Sequence, residues 1–178
     1  IIPDLKQEVN GLLLSSDGTR MVGSTFRGGL GIWEVTSPTA VRREFREEHH
    51  DALANLAFNP DESQLAGATA DGLVRVYDAA TLEPVATLVG HEGEVLGVAF
   101  MPNGSGVVST GRDGSMRIWR TGDIRSMPMV LRGHTGTIMP LAIAGAGAAA
   151  TLITGGWDLS IRTWNLHSGR PLAKFPTD

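Results

Sequence analysis

The stretch Asp-Gly-Ser-Met-Arg-Ile-Trp at residues 113–119 recurs along the chain and decides its fold. Related stretches are DGLVRVY at 71–77, DLSIRTW at 158–164 and a degenerate RGGLGIW at 27–33. Their aromatic ends, at positions 33, 77, 119 and 164, are 44, 42 and 45 residues apart. A period of roughly 20–50 residues indicates a repeat architecture. We therefore interpret the chain as four copies of one structural unit.

Each repeat has the pattern of four short strands separated by turns. In the third repeat, Pro102-Asn103-Gly104 separates the apolar segments Val95–Phe100 and Gly106–Thr110. Asp113-Gly114 then makes a tight turn into Ser115–Trp119, as Asp-Gly does in hairpins that need positive φ. No window of helical length shows a sustained period of about 3.6 residues. The sequence predicts an all-β chain, with repeats at approximately 5–47, 48–89, 90–132 and 133–178.

Composition and charge narrow the possible functions. The chain has 178 residues, 42% of them hydrophobic, and a formal net charge of −4. A mildly acidic chain is a poor candidate for binding nucleic acid or an anionic membrane, and we expect neither partner. No apolar run approaches the ~20 residues that span a bilayer. With no cysteine, the chain has no disulfide, thiolate metal site or cysteine nucleophile. This does not fix the compartment, for which the cytoplasm is favoured.

Arginine strongly outnumbers lysine in this chain. Of its 15 basic residues, only Lys6 and Lys174 are lysines. Together with abundant alanine and glycine, this bias suggests a GC-rich genome and hence a bacterial source.

Each of the last two repeats contains, in this order, a Gly-His pair, a turn aspartate and a strand that ends in tryptophan. The third repeat reads GH…F…PNG…STGRDG…IWR and the fourth GH…TGGWD…TWN. This order resembles the WD-repeat family of β-propellers, and the resemblance covers nearly the whole chain. It implies four blades, each a four-stranded antiparallel sheet, within a ring of about seven or eight blades.

The resemblance also implies a buried tetrad in each well-formed blade, made by histidine, a second-strand hydroxyl, the turn aspartate and tryptophan. The implied members are His91, Ser109, Asp113 and Trp119 in the third repeat, and His134, Thr154, Asp158 and Trp164 in the fourth. The second repeat keeps His49 and Asp71, with Tyr77 in place of tryptophan and Gly67 in place of the hydroxyl. The first repeat keeps only Trp33, with Leu5, Gly23 and Arg27 at the other three positions, and is expected to be the weakest.

His91, Ser109 and Asp113 are also the residue types of a hydrolytic triad. The set recurs in the fourth repeat, whereas an active site is normally single. A tryptophan is expected to occupy the hydroxyl, and no G-x-S-x-G nucleophile motif is present. We favour the structural tetrad and expect no catalytic residue. A hydrolase-like enzyme with a site in the central channel, or a nucleic-acid-binding propeller, is the alternative.

Three other segments contain residue types found in ligand sites. The run Glu47-Glu48-His49-His50-Asp51 contains metal-binding residue types, but neighbouring loop residues do not present a tetrahedral set. Arg42, Arg43 and Arg46 alternate with glutamates, which favours a solvated strand over a phosphate site. Gly28-Gly29 is followed by no helix and no Lys-Ser/Thr. We therefore expect no metal and no cofactor.

In this family, partners usually dock where the turns between the second and third strands meet the loops before the first strands. The resemblance implies a non-catalytic protein-interaction scaffold, or a regulatory or sensor module of a larger protein. The residues implied at this rim are Phe26, Arg112 and Trp157 beside the turns, and Glu94, Leu96, Thr137 and Met139 at the first strands. Tryptophan and arginine dominate binding hot spots, so Trp157 is the most informative candidate, although local packing would explain it as well.

Four repeats are about half of such a ring. Three arrangements are therefore open: the chain is a segment of a longer ring, two copies form an eight-bladed oligomer, or four blades close alone.

Overall fold

A computed structural model of the chain describes residues 8–36, 39–46, 52–120 and 127–177, with only the backbone at residues 36 and 39–46. Within these residues the chain forms sixteen strands and one short 3-10 helix, Gly147–Ala149. The strands of the first two repeats are β1 Val9–Leu14, β2 Arg20–Thr25, β3 Leu30–Thr36, β4 Thr39–Arg46, β5 Leu53–Phe58, β6 Gln64–Thr69, β7 Leu73–Asp78 and β8 Pro84–Val89. Those of the last two are β9 Val95–Phe100, β10 Gly106–Gly111, β11 Ser115–Arg120, β12 Met129–Arg132, β13 Ile138–Ala144, β14 Thr151–Gly156, β15 Ser160–Asn165 and β16 Pro171–Pro176.

Consecutive strands pair in antiparallel fashion to make four four-stranded sheets, β1–β4, β5–β8, β9–β12 and β13–β16. The prediction of an all-β chain with four such sheets is confirmed. The tight turns form where Asp-Gly occurs, because Gly72 and Gly114 adopt φ of 85° and 69°, which other residues adopt only at a cost.

The same register recurs in all four sheets. The aromatic residue of each third strand lies opposite an apolar residue of the second strand: Trp33 opposite Met21, Tyr77 opposite Leu65, Trp119 opposite Val107 and Trp164 opposite Leu152. Positions in different sheets can therefore be compared residue by residue.

The sheets lie side by side in chain order and bury one apolar layer at each of three interfaces. Val22 and Leu30 meet Leu53 and Leu65 between the first and second sheets. Val74 and Val76 meet Val98 and Trp119 between the second and third, and Val108 and Met116 meet Leu152 and Trp164 between the third and fourth.

The first strands β1, β5, β9 and β13 are neighbours across these interfaces, as expected for the inner strands of a propeller. The Asn10 amide donates to Leu53 O at 2.9 Å, and Val98 N donates to Asn55 Oδ1 at 3.0 Å. In the described part of the chain, no helix has the length and apolar character needed to cross a membrane.

Candidate functional site

The third sheet brings the four residues of its implied tetrad into one hydrogen-bonded chain. Trp119 Nε1 donates to Ser109 Oγ at 2.9 Å, and His91 Nε2 lies 2.8 Å from the same hydroxyl. His91 Nδ1 lies 3.0 Å from Asp113 Oδ2. Because a carboxylate can only accept, Nδ1 carries the proton and Nε2 accepts from the serine. Each polar atom along this chain therefore has a partner.

The fourth sheet repeats this geometry with threonine in place of serine. Trp164 Nε1 donates to Thr154 Oγ1 at 3.0 Å, and His134 Nε2 lies 3.0 Å from that oxygen. His134 Nδ1 lies 2.8 Å from Asp158 Oδ1. The side chain of His134 is fully buried, and that of Asp158 nearly so.

The environment of Asp113 stabilises its charged form. Burial alone would raise the pKa of this carboxyl, but donors around it, led by the backbone N–H groups of Ser115 and Glu92, lower the pKa to about 2. Burial lowers the pKa of His91, an effect that the Asp113 carboxylate only partly offsets. The pair is therefore a neutral imidazole on a carboxylate. Donors led by His134 and Ser160 likewise hold the pKa of Asp158 below its usual range, against the opposing effect of burial.

Two further residues of the repeated motif hold each carboxylate, and the sequence analysis missed them. The Ser115 hydroxyl donates to Asp113 at 2.9 Å, and Arg117 Nη2 lies 3.6 Å from Asp113 Oδ2. In the fourth sheet, the Ser160 hydroxyl donates to Asp158 at 2.8 Å and Arg162 Nη2 lies at 3.5 Å. The signal was present, since DGSMRIW and DLSIRTW share serine two residues and arginine four residues after the aspartate.

A glycine two residues before the turn aspartate makes room for each imidazole. A Cβ on Gly111 would lie 2.9 Å from His91 Nδ1, and one on Gly156 would overlap His134 Nδ1. Any side chain at these two positions would therefore displace the histidine.

The second sheet fills that position with Thr69. Thr69 pairs with Leu53 as Gly111 pairs with Val95, so the two positions are equivalent. The Thr69 hydroxyl bonds to the Asp71 carboxylate, and it accepts from Leu73 N at 3.2 Å. Arg75 Nη2 also reaches Asp71 Oδ2 at 2.7 Å. Thr69 thus leaves no room for an imidazole placed like that of His91.

The first sheet has a threonine at the same position and no aspartate after it. Thr25 Oγ1 accepts from Gly29 N at 2.9 Å, which is the bond that Thr69 makes to Leu73 N. The Trp33 ring occupies the space above Gly23, where a Cβ would lie 3.0 Å from Cζ3. Among the described residues, the buried Trp33 Nε1 has no hydrogen-bond partner.

Several candidate residues from the sequence lie outside the described residues. These are Leu5 and the run 47–51, which includes His49; the side chains of Arg42, Arg43 and Arg46 are likewise not described. Within the described residues, no three side chains of histidine, aspartate or glutamate cluster so as to hold a metal ion.

At the proposed rim, three backbone bonds place the residues before the turns in equivalent positions. The N–H groups of Phe26, Arg112 and Trp157 donate to the carbonyls of Glu8, Glu94 and Thr137 at 3.1, 2.9 and 2.9 Å. The side chains of Phe26, Trp157 and Met139 are exposed, and Leu96 is half-buried. Arg112 is exposed and forms an ion pair of 2.9 Å with Glu94.

Thr137 does not contribute a side chain to this surface. Its side chain is buried, and it offers Trp157 only its backbone carbonyl. Leu159, which the sequence prediction did not include, is exposed and has φ of 54° at the turn position where the other three repeats have Gly28, Gly72 and Gly114. The signal was Asp158-Leu159 in place of Asp-Gly.

Comparison with known proteins gives matches along the repeats. The family model described as WD domain, G-beta repeat, matches residues 41–78 and 82–120. "Protein tipD" of Dictyostelium discoideum is 30% identical over 121 residues, which are 68% of this chain and 19% of that protein. The "Poly(A)+ RNA export protein" of Schizosaccharomyces pombe is 29% identical over 134 residues, 73% of this chain and 37% of that protein.

Among solved structures, a chain of "Crystal Structure of Mitotic Checkpoint Complex" has the same fold. The TM-score is 0.84 at 24% identity, over 98% of this chain and 55% of that one. The chain thus spans about half of that structure and a smaller share of these two relatives.

The bacterial source suggested by the arginine bias is wrong. The matching relatives are eukaryotic proteins, from organisms that include Dictyostelium discoideum, Schizosaccharomyces pombe and Homo sapiens. Base composition biases codon use in any genome, so an arginine excess does not distinguish a bacterial protein from a eukaryotic one.

Proposed function

Because the chain belongs to the WD-repeat family, we propose that it is a non-catalytic platform that binds a protein partner through its rim. The rim surface consists of Phe26, Arg112, Met139 and Trp157. The observation that carries the proposal is the state of Trp157: its side chain is 68% exposed, while its backbone is held by the bond to Thr137 O. A large aromatic side chain presented on a fixed backbone loses little entropy on binding.

The tetrads support a bracing role and not a chemical one. Ser109 is fully buried, and its oxygen is already bonded to Trp119 Nε1 and His91 Nε2. A substrate carbonyl could reach this oxygen only after the tryptophan left its position. The same arrangement at Thr154 makes two equivalent braces, which suits repeated structure better than a single active site.

The similar proteins support a role in assemblies. One similar chain belongs to a mitotic checkpoint complex, and one relative is named for export of poly(A)+ RNA. We transfer from these only the class of function, the binding of protein partners on a rigid β scaffold.

The test uses substitution of Trp157 with a matched control. Tagged wild-type chain, Trp157→Ala and Val89→Ala are used to capture proteins from extracts of the source cells, and bound proteins are quantified by mass spectrometry. Val89 is the control because it is 69% exposed and lies on the outer strand β8 of the second sheet, two sheets away from Trp157. We expect specific partners to be lost with Trp157→Ala and kept with Val89→Ala. Equal recovery with both variants would contradict the proposal.

A further inference from the structure

The face opposite the rim carries the turns between the first and second strands of each sheet. Between the first and second sheets, Glu62 bridges these turns, because its carboxylate accepts from Ser16 N at 2.6 Å and lies 3.0 Å from Arg20 Nη2. Between the second and third sheets the turns lie against each other, and a Cβ on Gly104 would be 3.9 Å from Pro60 Cδ. Neighbouring turns are therefore in contact at both of these interfaces.

The turns of the third and fourth sheets leave a cleft between them instead. The turn of the fourth sheet, residues 145–150, contains only glycine and alanine, and a Cβ on Gly147 would have no atom within 4 Å. The cleft has a volume of about 400 Å³, which lies in the range of ligand-binding pockets. We call it the lower cleft, and its lining includes Met101, Arg120, Leu166 and His167. Its walls are formed by the third and fourth sheets.

The lower cleft combines an apolar lining with two exposed basic side chains. Met101, Ala150 and Leu166 are buried, whereas Arg120 and His167 are exposed. Among the residues that the structure describes, no acidic residue lines the cleft, and neither basic residue forms an ion pair. A guanidinium is always charged, and an imidazole has a hydrogen-bond donor in either tautomer. The described chain therefore leaves a positive charge and its donors available at this cleft.

The equivalent cleft between the first and second sheets has a different chemistry. By register, Glu34 occupies the place of Arg120, and Ala80 occupies the place of His167. The basic residue that lines this other cleft, Arg20, is already ion-paired. The positive character is therefore a property of the lower cleft and not of the repeat.

We propose that the lower cleft is a second docking site, which takes an acidic segment of a protein partner. A glutamate or aspartate carboxylate of the partner binds Arg120, whose planar guanidinium can hold both oxygens, and accepts a hydrogen bond from His167. A neighbouring aliphatic side chain of the partner packs on Met101 and Leu166.

The chain contains a precedent for this contact on the same face. The Glu62 carboxylate binds the Arg20 guanidinium and a backbone N–H of the neighbouring sheet. The formal net charge of −4 disfavours two other kinds of anionic partner, nucleic acid and an anionic membrane. The lower cleft is also independent of the rim surface, which lies at the other ends of the strands.

Nuclear magnetic resonance of the isotope-labelled chain tests the proposal with two matched peptides. Acetyl-Leu-Glu-Leu-amide carries the carboxylate, and acetyl-Leu-Gln-Leu-amide is its neutral counterpart. We expect the glutamate peptide to shift the amide signals of Ser105, Ala148 and His167, which line the cleft. The glutamine peptide should bind about tenfold more weakly, because it cannot form charged hydrogen bonds. Equal binding of the two peptides, or shifts confined to other parts of the chain, overturns the proposal.

Substitutions locate the bound carboxylate. We expect Arg120→Gln to weaken binding of the glutamate peptide about tenfold and His167→Ala about threefold, with unchanged far-UV circular dichroism because both side chains are exposed. Arg120→Glu should abolish this binding by charge repulsion. Arg132→Gln is the matched control, because Arg132 is an exposed arginine of the same sheet that pairs with Ser115 at the rim end. Wild-type affinity in Arg120→Glu, or equal weakening by Arg132→Gln and Arg120→Gln, overturns the proposal.

Discussion

Replacing Ser109 by alanine removes the hydroxyl that joins Trp119 to His91. The hydroxyl accepts from Trp119 Nε1 at 2.9 Å and donates to His91 Nε2 at 2.8 Å. Ser109 is fully buried, so water does not take its place without a rearrangement of the interface. The substitution leaves one donor and one acceptor without partners while changing little volume.

The expected cost follows from these two orphaned groups. A buried polar group without a partner costs about 1–3 kcal/mol, so for two such groups we expect Ser109→Ala to lower the free energy of unfolding by about 2–6 kcal/mol. Ser24→Ala is the matched control, because Ser24 is also fully buried and donates to Leu53 O at 2.9 Å. That carbonyl keeps a second donor, the Asn10 amide at 2.9 Å. We expect Ser24→Ala to cost about 0.5–1.5 kcal/mol.

Urea denaturation measures both variants, followed by far-UV circular dichroism and tryptophan fluorescence. The midpoints are compared at unchanged slope, so that the difference reports stability and not a change in the unfolded state. If Ser109→Ala costs no more than Ser24→Ala, the tetrad does not brace the third sheet, and the reasoning that links its geometry to stability is refuted.

Three further predictions concern the same bracing system. Thr69→Val should lower the free energy of unfolding by about 1–2 kcal/mol in urea denaturation, because Asp71 and Leu73 N lose a hydroxyl partner; an unchanged midpoint would argue against Thr69 as the brace. Gly156→Ala should lower the free energy of unfolding by about 2 kcal/mol or more, because the added Cβ would overlap His134 Nδ1. Gly93→Ala is the control, because its Cβ would lie 3.6 Å from the nearest side-chain atom, and it should cost under about 1 kcal/mol in the same assay. Stability should fall in acid, because the folded pKa of Asp113 is about 2 against an ordinary 3.8. The stability that Asp113 contributes is complete above about pH 4 and is lost as the pH falls towards 2. Because the fold lowers the pKa of His91, stability also begins to fall below the ordinary histidine pKa of 6.5. Asp113→Asn should flatten this dependence in melts from pH 7 to pH 2, and an unchanged acid limb would contradict the assignment.

The strands could be predicted closely because local signals and the repeat agreed. Turn pairs such as Asp113-Gly114 set where a strand ends, and the recurring aromatic residues set the register between copies. β9 begins and ends where the sequence predicts, and β10 and β11 each extend one residue beyond the predicted end. Period and turn chemistry are both properties of neighbouring residues, so they can be read without tertiary information.

The partners of each carboxylate could be predicted only in part. The family resemblance implied His91 beside Asp113, but the sequence pattern assigned no role to Gly111 or Thr69. Their difference matters only in three dimensions, where a Cβ at that position decides whether an imidazole can approach. The exposure of Leu159 and the burial of Thr137 likewise depend on the neighbouring sheet and not on the repeat pattern.

The four repeats point to an order among the parts of the brace. The N–H group two residues after the turn aspartate position finds a side-chain acceptor in the first three repeats, although the acceptor changes. It is Thr25 for Gly29 N, Thr69 and Asp71 for Leu73 N, and Asp113 for Ser115 N. The histidine is added where a glycine leaves room for it, and the tryptophan Nε1–H finds an acceptor where the second strand has a hydroxyl. The turn cap is therefore common to the first three sheets, and the full tetrad of the third sheet includes it.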